Sequence, residues 1–168
     1  MKKIIYFVII LIFVGCGNND TIEKATKFSI DEVKNTPGFH WFQIEYDTYS
    51  YDSAIVDSIG DCFEKDELKI IIFASPGCYC GSLYTRFPQL IKILDGANIS
   101  ENNYEVYVTD DTGNKLRFEH PYSNLLNVNT LPAFYLLKSD DSYYDVLLQV
   151  NTKYISIEEA LLTGIKFL

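Results

Sequence analysis

The chain has 168 residues, of which 48% are hydrophobic, with 9 glycines and 5 prolines; this composition indicates one ordinary globular domain and excludes collagen-like, disordered and coiled-coil chains. Its 14 basic residues stand against 23 acidic ones, and the resulting charge of −9 disfavours nucleic acid and anionic lipid head groups as partners. Four cysteines are too few for a small disulfide-stapled scaffold, so the fold has to rest on an apolar core, which a chain of this length can bury.

The first segment has the three regions of an export signal. Lys2 and Lys3 are followed by eleven uncharged residues, 4–14, and then by a polar stretch that begins at Gly15. Eleven apolar residues fall short of the ~20 that a helix needs to span a bilayer, so a permanent transmembrane anchor is not expected. The sequence therefore predicts a signal peptide over residues 1–15.

Cys16 adds a second feature, because residues 13–16, Phe-Val-Gly-Cys, resemble a bacterial lipobox. The resemblance implies that the Cys16 thiol receives a diacylglycerol, that cleavage precedes it, and that the new amino terminus is acylated, for example by palmitate. Each buried methylene contributes ~0.8 kcal/mol, so several acyl chains together hold a protein stably on a membrane. An ordinary secretory peptide with Cys16 as a spare thiol is the alternative, and the polar tether Asn-Asn-Asp after it argues against that.

Both interpretations place the chain outside the cytoplasm, in a compartment where disulfides persist. Gly17, directly after the acylated cysteine, favours the outer membrane over the inner one, with the domain facing the periplasm.

The mature chain is expected to begin with the acylated cysteine and a polar tether, residues 16–38, followed by one domain over residues 39–168. The tether has one helix-like pattern, at 22–33. The first half of the domain is predicted to contain a strand at 41–46, a helix with Tyr51, Ile55, Ile59 and Cys62 on one face, a central strand at 68–74, and a helix over 83–94 that is kinked at Pro88 and ended by a left-handed Gly96.

The second half is predicted to contain a strand at 104–109, a turn at 110–114, a short helix at 120–127, and two strands, 133–137 and 143–150, joined by a hairpin at 139–142. A last helix starts at Ser156, with Ile157, Ala160, Leu161 and Ile165 turned inward. Alternating strands and helices predict a mixed sheet with a parallel core, and the closing hairpin adds an antiparallel edge.

Two cysteines lie where a thiol can be activated. Cys78 and Cys80, separated by Tyr79, follow the predicted central strand and precede the next helix. The partial positive charge at a helix N-terminus stabilises a thiolate, which is the reactive form of cysteine. Two such cysteines can attack a substrate and then resolve the mixed disulfide intramolecularly.

The order of strand, loop, cysteine pair, kinked helix and a later Thr-Leu-Pro-Ala before a hairpin resembles the thioredoxin-like superfamily, over roughly residues 40–168. The resemblance implies an α/β three-layer sandwich. It also implies that Pro132 is cis and faces the cysteine pair, and that the backbone beside it at Leu131 pairs with an extended substrate. Pro132, Leu131 and Tyr79 are thus expected to line the groove for the substrate. Tyr79, which lies between the cysteines, is expected to tune access to them. Exported bacterial lipoproteins with this fold are the relatives that the sequence favours.

The chain departs from the family pattern in three ways. The cysteines are separated by one residue rather than two, the tryptophan that commonly precedes the pair is absent, and Ile71 and Ile72 occupy the strand where thioredoxins hold a buried acid. A Cys-X-Cys disulfide closes a smaller ring and is expected to be more easily reduced, which favours an oxidising or isomerising protein.

The sequence thus predicts a membrane-anchored thiol-disulfide oxidoreductase or isomerase that acts on envelope proteins. Cys78 is the predicted nucleophile and Cys80 the resolving thiol. No bound cofactor is expected, but turnover needs an external redox partner.

Several alternatives stay open. The pair could hold a soft metal, Cu(I) or Zn(II), with His120 as a third ligand, although His120 also suits the surface at a helix start. It could form a structural disulfide, or belong to a redox-silent thioredoxin-like binding module. Cys62 is interpreted as an inert buried thiol rather than a third redox partner.

Overall fold

The computed structural model describes residues 22–63, 67–76, 84–110 and 118–168. These residues form a mixed α/β fold. The strands are β1 (Glu23–Lys24), β2 (Thr26–Phe28), β3 (Leu68–Ala74), β4 (Tyr104–Val108), β5 (Phe118–Glu119), β6 (Ala133–Lys138) and β7 (Tyr143–Asp145). The helices are α1 (Ile30–Asn35), α2 (Phe42–Thr48), α3 (Ser53–Phe63), α4 (Arg86–Gly96), α5 (Val146–Lys153) and α6 (Ile157–Phe167).

Five strands form one mixed sheet in the order β2-β4-β3-β6-β7. The middle strand, β3, is parallel to β4 and antiparallel to β6, while β2 and β7 are antiparallel to their neighbours at the two edges. β1 and β5 form a separate parallel pair. The predicted central strand is confirmed: its nearly continuous apolar run, interrupted by Lys69, is buried on both faces of the sheet. The predicted parallel core is the single pair β3 and β4.

The two faces of the sheet are covered differently. Ile70 and Ile72 point into a cluster that contains the buried residues of α1 to α6. Ile71 and Phe73 point to the opposite face, which is covered by buried residues outside the helices: Ala25, Leu126, Val128 and Leu131. In the part of the chain that the structure describes, helices therefore cover one face of the sheet, while turns and short strands cover the other.

The predicted short helix at 120–127 is wrong, since the structure has turns there. The Ser123 hydroxyl accepts from the backbone N–H of His120 at 3.0 Å and donates to its carbonyl at 2.8 Å. Such local side-chain hydrogen bonds give the backbone an alternative to a helix. A single turn survives, in which the Leu126 N–H donates to the Tyr122 carbonyl.

The fold begins before residue 39, where the sequence places the domain boundary. β2 joins the central sheet, and Val33 of α1 is fully buried in the core. Ser29 and Glu32 form a reciprocal cap at the start of α1, which limits the helix to the second half of the pattern at 22–33. Residues 22–38 are therefore part of the domain rather than tether.

The predicted strand at 41–46 is also wrong, because Phe42–Thr48 is the helix α2. Phe42 and Tyr46 are four residues apart and stack on the core side, with ring centroids 6.3 Å apart, whereas Ile44 is 64% exposed. Over six residues, an apolar pair at this spacing also fits an alternating pattern. The helix thus places on the core the same two aromatic residues that also fit the alternating pattern of a strand.

Helix α4 differs from its prediction at both ends. It begins at Arg86, so Pro88 lies in the first turn, where a helix needs no N–H from it. The left-handed residue after the helix is Asn98, with φ 57°, rather than Gly96. A Cβ at Gly96 would lie 2.5 Å from the Tyr51 hydroxyl oxygen, so the Tyr51 side chain would have to shift to accommodate one.

The C-terminal part confirms the predicted hairpin and last helix. β6 and β7 are antiparallel and are joined through Asp141, with φ 66°. The second strand is shorter than predicted, because Asp145 accepts from the Leu148 N–H at 2.8 Å and starts α5. Ser156 caps α6, and its four predicted inward residues are all buried.

Candidate functional site

The candidate site is the edge of the sheet where β3 ends. Cys78, Tyr79 and Cys80 lie outside the described residues, as does Cys16. We call residues 77–83 the cysteine segment. The described residues directly before and after this segment meet in one small cavity. The described residues that line the cavity are Trp41, Ala74, Ser75, Tyr84, Phe87 and Pro132.

Pro132 approaches this edge from the neighbouring strand. The peptide bond between Leu131 and Pro132 is cis, as the resemblance implies. The next residue, Ala133, is paired with Phe73 near the end of β3, and this register sets Pro132 beside Ala74 and Ser75. The Leu131 side chain does not line the cavity, because it is buried among the residues on the opposite face of the sheet.

Trp41 is the site residue that the sequence analysis missed. It precedes α2, and its indole N–H donates to the Gly38 carbonyl at 3.0 Å. Its ring meets Tyr84 edge-on, with centroids 5.1 Å apart. A tryptophan is therefore present at this edge, although it comes from a segment far from the cysteine pair in sequence.

Gly38 and Pro76 make a close contact beside the same cavity. A Cβ on Gly38 would lie 2.3 Å from the Pro76 Cβ, a separation that real side chains do not reach. Glycine is therefore needed at position 38 for the two chain segments to approach. The contact joins the turn that holds Trp41 to the residue directly before the cysteine segment.

His120 is not at a helix start. The centroid of its ring lies 4.6 Å from that of the Phe73 ring and 5.4 Å from that of the Phe118 ring. Its Nδ1 is buried and has no hydrogen-bond partner among the described residues. Burial lowers the pKa of His120, so the neutral imidazole is favoured. Within the described ranges, no three His, Cys, Asp or Glu side chains are grouped to hold a metal ion.

Cys62 lies on α3 and packs, half-buried, against the helical side of the core. It forms no disulfide with any described residue. Its apolar setting is the one the sequence predicts for an inert thiol.

A partly buried carboxylate, Glu105, holds the sheet together at a distance from the site. Its Oε1 accepts from Lys27 at 2.9 Å and Lys69 at 3.1 Å, and its Oε2 accepts from the hydroxyls of Tyr107 at 2.9 Å and Tyr122 at 2.7 Å. Burial alone raises its pKa, but these four donors outweigh burial and lower the pKa of Glu105 to about 2.

The role of Glu105 is structural. It is paired with Ile71, three residues before Ala74 along the parallel strands, and all of its donors come from the sheet or from the turns covering it.

No protein-family model, curated protein or solved structure matches this chain. In the part of the chain that the structure describes, no helix combines the length and apolar character needed to cross a bilayer.

Proposed function

We propose that this chain is a lipid-anchored, extracytoplasmic thiol-disulfide oxidoreductase or isomerase with a thioredoxin-like fold. Cys78 and Cys80 exchange with thiols and disulfides of envelope proteins. The single observation that best supports the proposal is the cavity at the end of β3, where both flanks of the cysteine segment meet cis-Pro132.

The order of the elements supports the same proposal. In the chain, the cysteines lie between the buried central strand of a mixed sheet and α4, which begins at Arg86. Pro132 opens the strand that is followed by the antiparallel hairpin, which is the arrangement the resemblance implies.

The exchange balances as follows in the oxidising direction. A substrate thiolate attacks the Cys78–Cys80 disulfide, forms a mixed disulfide with Cys78, and releases Cys80 as a thiolate. A second substrate thiolate then attacks the substrate sulfur of the mixed disulfide. The products are a substrate disulfide and a reduced Cys78–Cys80 pair, so the substrate loses two electrons and two protons. An external disulfide restores the pair, whereas isomerisation returns it unchanged.

The proton steps use another group or water, rather than a buried acid in the central strand. The strand that holds a buried acid in thioredoxins has Ile71 and Ile72 here, and both are fully buried. The buried carboxylate Glu158 lies on α6 and is already engaged, since it accepts from the Tyr49 hydroxyl at 2.7 Å and the Asp52 N–H at 3.3 Å.

The anchor is the second part of the proposal. Cys16 is acylated after cleavage of residues 1–15, and the domain faces the periplasm from the outer membrane. Mass spectrometry of the membrane-extracted chain tests this. A diacylglyceryl-modified Cys16 at the amino terminus supports it, while an unmodified Cys16 or an intact signal peptide overturns it.

The redox proposal is tested on the domain starting at residue 17, equilibrated across a glutathione series. Free thiols are trapped by alkylation and counted by mass spectrometry. Trp41 offers a second readout, because it is the chain's one tryptophan and lies beside both flanks of the cysteine segment. We expect Cys78 and Cys80 to pair reversibly, with a potential between about −120 and −270 mV, and Trp41 fluorescence to follow the same curve.

Matched variants separate the cysteines. Cys78→Ser and Cys80→Ser should each remove the fluorescence transition, whereas Cys62→Ser should leave it unchanged. If Cys78 and Cys80 never pair with each other at any potential, exchange through an internal disulfide is refuted.

A further inference from the structure

The anchored end of the chain and the candidate site share one edge of the sheet. β2 runs antiparallel to β4, with Thr26 opposite Val108, and Val108 is in turn opposite Ala74 of β3. Neighbouring strands are ~4.8 Å apart, so Thr26 lies about 10 Å across the sheet from Ala74. The chain therefore enters the sheet at the edge where β3 ends and the cysteine segment begins.

Glu23 ties the incoming chain to this edge. Its Oε1 accepts from the Thr109 hydroxyl at 2.7 Å and from the N–H of Asp110. The N–H of Thr109 donates to the carbonyl of Ala74 at 3.1 Å. A continuous set of hydrogen bonds thus connects the chain seven residues after Cys16 with the last residue of the strand before the cysteines.

The chain between the lipid and this edge is short compared with the domain. Seven residues from Cys16 to Glu23 span at most ~25 Å when fully extended. A domain of this size has a radius of gyration of about 15 Å and therefore a diameter of about 40 Å. The chain cannot pass around the domain, so the edge with the candidate site stays on the membrane side.

We propose that the site acts on cysteines close to the membrane surface. Its substrates are proteins that are themselves lipid-anchored or membrane-spanning. The cysteines on which it acts lie within the first ~30 Å of their extracytoplasmic chain. This inference rests on the proposed exchange function and on acylation of Cys16. The net charge of −9 makes the chain repel anionic lipids, but the seven residues from Cys16 to Glu23 limit how far the edge can rise.

The test uses the acylated full-length mature chain in liposomes, oxidised beforehand with excess oxidised glutathione that is then removed. Two lipid-anchored reporter peptides have the same dithiol on polyproline spacers of 3 and 25 residues, which set it ~9 Å and ~78 Å from the membrane at 3.1 Å per residue. Oxidation of each reporter is followed by alkylation and mass spectrometry. We expect the near dithiol to be oxidised at least tenfold faster than the far one. Equal rates overturn the inference.

A variant with 25 prolines inserted between Asn19 and Asp20 is the matched control. It raises the domain by ~78 Å without changing a described residue, so the preference should reverse toward the far dithiol. An unchanged preference would show that height above the membrane does not determine the choice.

A third, unanchored dithiol peptide separates the two proposals. If the protein oxidises none of the three reporters, the exchange function itself has failed. If it oxidises the unanchored peptide but treats the near and far reporters alike, the exchange function stands and the membrane-proximal substrate class is refuted.

Discussion

Replacing Glu105 by glutamine tests whether one partly buried charge stabilises the sheet. All four groups around this carboxylate are donors: the ammonium groups of Lys27 and Lys69 and the hydroxyls of Tyr107 and Tyr122. Glutamine keeps the shape but removes the charge, and one of its two positions is an NH₂ group that cannot accept. Only the hydroxyls can rotate to receive that NH₂, so the ammonium groups face a neutral oxygen.

The size of the effect follows from the pKa of Glu105. A lowering from 4.5 to about 2 corresponds to about 3 kcal/mol, at about 1.4 kcal/mol per pH unit. The side chains of Lys27 and Lys69 are 58% and 41% exposed, so solvent screening reduces this to about 2 kcal/mol. We expect Glu105→Gln to lower the free energy of unfolding by about that amount near pH 6, and the melting temperature by about 4–8 °C.

The pH dependence has a defined sign. The folded-state pKa of Glu105 is depressed, so its contribution is complete above the unfolded value of 4.5 and is lost as the pH falls toward about 2. In urea titrations from pH 7 to pH 2, the gap between the native protein and Glu105→Gln should therefore narrow below pH ~4.5. Glu119→Gln, at an exposed position on β5, is the control and should change stability by less than ~0.5 kcal/mol. A Glu105→Gln gap below that value, or one that does not narrow in acid, would refute the reasoning.

Three further substitutions test packing and protonation. The pKa of His120 is lowered in the folded state, so the unfolded chain takes up a proton first as the pH falls through ~6.5 and the folded protein loses stability. His120→Phe should therefore lose less stability than the native protein between pH 8 and pH 5. Equal losses of the two proteins in urea titrations would contradict this. Gly38→Ala forces Pro76 to move, and should shift the Trp41 fluorescence; an unchanged spectrum would show that the contact yields freely. Gly164→Ala should destabilise α6 by ~1–3 kcal/mol, because the added Cβ would lie 2.5 Å from the Tyr144 ring. The cost of this steric clash outweighs the gain in helix propensity of ~1 kcal/mol. A raised melting temperature would contradict the prediction.

The parts of the fold that the sequence predicts correctly are those with a strong local signal. β3 is recognised because six of its seven residues, all but Lys69, are apolar and suit burial on both faces, and α6 because Ser156 and Glu159 form a cap. The hairpin between β6 and β7 has polar turn residues between apolar strands.

The errors share a physical cause, which is that tertiary contacts decide weak local patterns. β1 and β2 contain only two and three residues, mostly charged or polar, and are strands because of partners about 80 to 95 residues away. Sequence alone offers no sign of such pairings. The sequence predicts a strand in place of α2, because the pair of core residues in this helix also fits an alternating apolar and polar pattern.

The candidate site divides in the same way. The sequence indicates the cysteine pair and Pro132, since each belongs to a motif with a chemical reason. Trp41 and Ser75 have no motif, and only the folded structure brings them to the same cavity. A signal for Trp41 existed in the Pro-Gly turn before it, because a glycine there allows a close approach to another segment.

The charged cluster around Glu105 lies apart from the candidate edge. Glu105 lies three residues down the sheet from the candidate edge, and its donors connect β2, β3 and β4 with the turn around Tyr122. The described lining of the cavity, by contrast, has aromatic, small and proline side chains but no ionisable carboxylate or amine. In the exchange proposed above, this described lining therefore supplies neither a carboxylate nor an amine for proton transfer. The short connection through Glu23 holds the incoming chain at this edge without adding a charged group to the described lining of the cavity.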